Sequence, residues 1–166
     1  MKYIIILLFC LNLFMPPVYS LSVDSMETLF KSDMPKGVVY TKVPRGLIVS
    51  VDEDLFFRDC ESAIKESSLY ILDTVAELLK KIPNYCVIEN HLKEEPCEVN
   101  LHRWELSSMR SSNIAEYFVK CHKISPDKIF DIGFGESMPF NENVSPEALS
   151  MNNRVDFVMI EYETKR

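Results

Sequence analysis

Trp104-Glu105-Leu106-Ser107-Ser108-Met109-Arg110-Ser111 is the stretch from which the fold of this chain is read. A helix is expected to start near Leu106-Ser107 and to run to about Cys121, because Arg110, Ile114, Tyr117, Phe118 and Cys121 align at helical spacing. Downstream, Ser125-Pro126-Asp127 closes that helix, and Ile129-Phe130-Asp131-Ile132 reads as a strand ended by Gly133-Phe134-Gly135. After a loop rich in Asn, Pro and Ser, Val155, Phe157 and Met159 share one face of a last strand within residues 154–162. Upstream, the polar residues 90–103 are expected to form a long surface loop, preceded by a short buried strand, Tyr85-Cys86-Val87-Ile88-Glu89.

Farther back, Leu69, Leu72, Val75, Leu79 and Ile82 recur every three or four residues. They predict an amphipathic helix over about 67–82, stopped by Pro83-Asn84. Val38 to Val43 and Leu47, Val49 and Val51 are strand formers around the turn signal Pro44-Arg45-Gly46, which predicts a hairpin. The acidic turn Asp52-Glu53-Asp54 follows, and then Leu55-Phe56-Phe57, expected to plug into the core. The order ββαβαββ implies an α/β fold, an α+β sandwich in which a mixed sheet carries two main helices on one face.

The N-terminus has Lys2, an apolar run from Tyr3 to Phe14, and Val18 and Ser20 as small residues at a cleavage position. That order is the signature of a secretory signal over residues 1–20, and the run is shorter than the ~20 residues a membrane span needs. Cys10 lies inside the apolar stretch without a small residue before it, which disfavours a lipoprotein. Residues 21–37 are largely polar and are expected to be a leader or linker, with one domain over 38–166. A net charge of −7 and a pI near 5.0 exclude an electrostatic grip on nucleic acid.

Cys60, Cys86, Cys97 and Cys121 remain in the exported chain, where disulfides are permitted, and their pairing is open. No cofactor motif is present. His91, Cys97, His102 and His122 include no tight Cys-x-x-Cys or His-x-x-x-His pair, so no metal motif is recognised. Cys97 with His91 or His102 is only a nominal dyad, and no serine elbow exists, so an enzyme is not expected.

The opening stretch resembles the Trp-Glu-Leu-Ser-x-x-Arg-Ala signature of the OmpA-like/MotB C-terminal peptidoglycan-associating domain. Ile124-Ser125-Pro126-Asp127-Lys128-Ile129, Gly133-Phe134-Gly135-Glu136 with Pro139, and Asn152-Asn153-Arg154-Val155-Asp156 resemble its later motifs, and Arg45-Gly46-Leu47-Ile48-Val49 with Phe56-Phe57 its opening hairpin. The resemblance covers roughly residues 38–162. It implies non-covalent binding of peptidoglycan through diaminopimelate, with an aspartate from Gly-His-Thr-Asp and the arginine of Leu-Ser-x-x-Arg answering the ligand's ammonium and carboxylate.

Here Gly-His-Thr-Asp becomes Asn90-His91-Leu92-Lys93, while Arg110 is kept. An asparagine of the family becomes Arg103, and one arginine of the closing motif becomes Asn153, leaving Arg154. The candidate peptidoglycan-binding residues are therefore Arg110, His91, Arg154, and Glu94 or Glu95 as a replacement carboxylate. Trp104 is expected to be a packing anchor.

The resemblance implies a periplasmic protein, associated with the outer membrane or cell wall of a Gram-negative bacterium, that anchors an envelope complex to peptidoglycan. The alternative is a degenerate structural subunit of an envelope-spanning machine, a type IVB (Dot/Icm) secretion system or a flagellar motor, acting through protein contacts.

Overall fold

In the computed structural model, residues 20–92, 102–139 and 151–162 are described. The expected export signal therefore lies, Ser20 apart, outside the described residues. The elements are α1 (Val23–Asp33), β1 (Val39–Val43), β2 (Gly46–Asp52), α2 (Leu69–Lys81), β3 (Tyr85–His91), α3 (Arg103–His122), β4 (Ile129–Gly135) and β5 (Arg154–Ile160). The sheet order is β1-β2-β5-β3-β4. All neighbours are antiparallel except β3 and β4, which α3 connects as a parallel pair. The mixed sheet and the ββαβαββ order match the sequence reading, with one helix added in front.

That added helix corrects the leader expected over residues 21–37. Ser22 caps α1 by accepting from the Ser25 N–H, and Met26 and Phe30, one turn apart, are fully buried. Polar residues elsewhere on α1 hid this narrow stripe. Asn84 fixes its entry: its Oδ1 accepts from Leu21 N at 2.7 Å, and its Nδ2 donates to Leu21 O and Ile160 O.

Alternation along the strands decides which side chains meet the helices. Leu47, Val49 and Val51 of β2, Cys86 and Ile88 of β3, and Val155, Phe157 and Met159 of β5 face the helical layer. They form one core with Leu72, Val75 and Leu79 of α2 and Ile114 and Phe118 of α3. Phe56 and Phe57 plug into that core as expected, while Leu55 points outward. At Gly133 any Cβ would sit 2.2 Å from Ser108 N, so glycine there lets α3 lie directly on β4. Lys128 donates to the carbonyls of Leu79 and Ile82 and closes the C-terminal end of α2. Among the described residues, no helix is long and apolar enough to cross a membrane.

Candidate functional site

The motif residues gather at one end of the sheet, where β2 and β3 finish and β5 and α3 begin. Leu106 and Ser107 hold the first turn of α3 against the sheet, and Ser107 Oγ accepts from Gly135 N at 2.9 Å. One turn farther on, Arg110 is 0% exposed. Its guanidinium pairs with the buried Glu53 carboxylate and lies 5.1 Å from the Phe57 ring centre. Nε donates to Glu61 O and one terminal nitrogen to Arg58 O, both at 2.8 Å. Asn113 Nδ2 adds a bond to Ser62 O at 2.7 Å. This helix face therefore fixes the β2–α2 connection, and Arg110 points into the protein from its side of the sheet.

His91 and Arg154 sit on the opposite sheet face. The alternation that sends Ile88 and Val155 toward the helices sends Glu89, His91, Arg154 and Asp156 away from them. In register, Glu89 lies across from Asp156 and His91 across from Arg154. His91 stacks on Phe134 with ring centres 4.9 Å apart. Its Nε2 is 3.4 Å from Asp156 Oδ2 and 3.8 Å from Glu89 Oε2. Arg154 Nε donates to Asp156 Oδ2 at 2.9 Å, and Arg45 donates to Glu89 Oε2 at 3.1 Å. Burial pushes the Glu89 carboxyl up, but His91 and Arg45 together outweigh it and hold the group below its ordinary range.

The sheet thus separates Arg110 from the pair His91 and Arg154, and Glu94, Glu95 and Lys93 lie outside the described residues. Arg103 turns outward to pair with Glu136. Asn153 contributes its carbonyl, which accepts from Glu53 N at 3.1 Å and ties β5 to the Arg110 network. Trp104, expected to pack, is 60% exposed at the head of α3. Sequence reasoning missed Glu53, read only as part of an acidic turn, and Glu89, read only as the end of a strand.

A cavity of about 200 Å³ opens beside Arg154, lined by Gly37, Val39, Ser50, Val51, Asp52 and Met151. Among the described residues, Asp52 and Arg154 are the acidic and the basic lining residue. Burial raises the Asp52 carboxyl above its usual value.

Of the cysteines, Cys60 is disulfide-bonded, whereas Cys86 and Cys121 are free thiols. The partner of Cys60 falls outside the described residues. Cys86 is buried, and burial pushes its thiol up to about 12, so it packs as a small apolar group.

Similar proteins place this geometry in a family. The chain is 27% identical over 124 residues to the uncharacterised protein YtxE of Bacillus subtilis, covering 72% of this chain and 50% of that one. It therefore spans about half the length of that curated relative. A solved MotB-like protein from Desulfovibrio vulgaris shares the fold with a TM-score of 0.74 at 22% identity, over 86% of this chain and 90% of the other. The T6SS cell wall anchor of Pseudomonas aeruginosa does so with a TM-score of 0.70 at 16% identity, over 84% and 97%. The OmpA family model matches residues 56–153, which contain β3, α3, β4 and the paired loops around Arg110, and this chain belongs to the OmpA family.

Proposed function

We propose that this protein is a non-catalytic anchor of the bacterial cell envelope, exported to the periplasm, whose OmpA-like domain holds peptidoglycan through a stem peptide bearing both an ammonium and a carboxylate, as diaminopimelate does. The observation that carries the reading is the cavity at the motif end of the sheet. Asp52 and Arg154 line it with opposite charge, suited to a zwitterionic group. Arg110 acts from behind, by fixing the β2–α2 connection that begins beside Asp52. Glu94 or Glu95 supplies a further carboxylate from the following loop. A protein with the fold of the T6SS cell wall anchor is consistent with such a role.

Sedimentation of the purified protein with isolated sacculi tests this. Wild-type protein is expected in the pellet, released by a diaminopimelate-containing tripeptide and weakened about tenfold by Asp52→Asn or Arg154→Ala. Wild-type protein that stays in the supernatant sinks the reading.

A second reading has its own observation. Arg110 is engaged by Glu53 and two backbone carbonyls, and Lys93 stands where the family places an aspartate. On that reading the domain is a structural subunit of an envelope machine, a secretion system or a flagellar motor, and works through protein contacts. It predicts stable co-purification with envelope proteins from mild extracts together with no retention on sacculi.

A further inference from the structure

The cluster of Glu89, His91 and Asp156 lies on the sheet face away from the helices and is unused by the reading above. One ligand atom from each falls within 4.8 Å of the others, and all three residues are buried. Side-chain exposure is 4% for His91 and 5% for Glu89. Each carboxylate has one oxygen hydrogen-bonded to an arginine, Glu89 Oε2 to Arg45 and Asp156 Oδ2 to Arg154. Asp156 Oδ1 and both ring nitrogens of His91 have no hydrogen-bond partner, and Glu89 Oε1 has none either, though it lies 3.0 Å from the half-exposed Arg45 as an ion pair.

Such a concentration of buried, unsatisfied acceptors is costly and asks for a cation among them. A metal ion uses one nitrogen lone pair together with one oxygen of each carboxylate. Tetrahedral ligands at 2.0–2.2 Å from an ion are about 3.3–3.6 Å apart. His91 Nε2 lies 3.4 Å from Asp156 Oδ2 and 3.8 Å from Glu89 Oε2, and one ligand atom of each residue falls within 4.8 Å of the others, so the three reach that spacing by small side-chain rotations. One imidazole and two carboxylates form a borderline set that suits zinc and similar divalent ions over magnesium, leaving a fourth position for water. Arg154 and Arg45 stand behind the carboxylates and orient them as outer partners do in metal sites. Arg45 is half exposed, so its charge is screened and its displacement opens the approach from solvent.

We infer that Glu89, His91 and Asp156 form a binding site for a zinc-class divalent metal ion, joining the end of β3 to the start of β5. The ion bridges two neighbouring strands and stabilises the motif end of the sheet. Arg154 both lines the proposed wall-binding cavity and orients Asp156, so metal binding is read by its own signals and not by sedimentation.

The test uses purified protein stripped with chelator. Cobalt(II) titration is expected to give a visible absorption band saturating at one equivalent. Zinc is expected to raise the unfolding temperature by roughly 5–10 °C at about a hundredfold excess over Kd, where equal magnesium does not. His91→Gln should abolish both signals. His122→Gln should leave them intact, and it controls for the surface cluster of His122 with Asp73 and Glu77. Absence of a stoichiometric cobalt band in the wild-type protein overturns the inference, whatever the folding of the variants. So does a signal that survives His91→Gln.

Discussion

Replacing Arg110 with alanine tests the interior of this domain most sharply. The substitution removes the guanidinium from beside a buried carboxylate and from two loop carbonyls, each bonded at 2.8 Å. Charge-assisted bonds contribute about 1.5–3 kcal/mol each, and breaking a buried ion pair by removing one partner costs about 3–5 kcal/mol. These figures describe overlapping losses and do not add. The expected destabilisation is therefore about 3–5 kcal/mol, a large share of the 5–15 kcal/mol net stability of a typical domain.

Glu53→Met should cost a similar amount, because it leaves Arg110 charged at 0% exposure without that carboxylate. With Arg110→Met and Glu53→Met as the single variants, the double variant Glu53→Met/Arg110→Met should lose no more than either single change, giving a coupling of about 2 kcal/mol or more in a urea double-mutant cycle. Amide exchange in residues 58–62 should accelerate in Arg110→Ala before the rest of the domain does. Single variants that lose under about 1 kcal/mol, or a cycle additive to within about 0.5 kcal/mol, would refute the clamp. The result also governs how wall binding is assayed. Loss of sedimentation by Arg110→Ala alone reports unfolding unless the variant is shown folded, which is why Asp52 and Arg154 are the better probes.

Phe30→Ala should cost about 3–5 kcal/mol and lower the melting temperature by about 6–20 °C, whereas deletion of a true linker would change neither. Lys128→Met, which removes the amine capping the last carbonyls of α2, should cost about 1–2 kcal/mol in urea titration. The Glu89 carboxyl is held below its unfolded value, so its contribution is present above about pH 4.5 and is lost as pH falls through the lower folded value. In chelator, urea midpoints from pH 7 to pH 3 should fall less steeply in Glu89→Gln than in wild type. Trp104→Ala, at an exposed position, should change stability by no more than about 0.5 kcal/mol in urea titration, where a packing anchor would cost several times that.

The hairpin, α2, α3 and the last strands were legible because each carries a long apolar period that only one side of an element can bury. α1 was not, since two buried residues one turn apart in a polar segment are too few to distinguish from chance. They become core only because Asn84 brings Leu21 and Ile160 together across the molecule. Arg110 was legible as a residue with a function, by its place in Leu106-Ser107-x-x-Arg110, but its direction was not. Glu53 lies far upstream, and an acidic turn in sequence gives no sign that its middle carboxylate is folded under a helix.

One part of the site was available from parity alone. Residues of even number in β3 face the helices and odd ones face away, so Asn90 and His91 necessarily project from opposite sides of the sheet. A reading that grouped His91 with Arg110 in one pocket conflicts with that period wherever the strand extends to His91, as it does here. The substitution of Lys93 for an acid bears on Arg110 in the same physical terms. A guanidinium in this position needs an anion, and where the following loop offers a cation in sequence, Glu53 provides the charge from the core side. Retention of the arginine therefore speaks for the integrity of the fold directly, and for ligand binding only through the loop and cavity it supports.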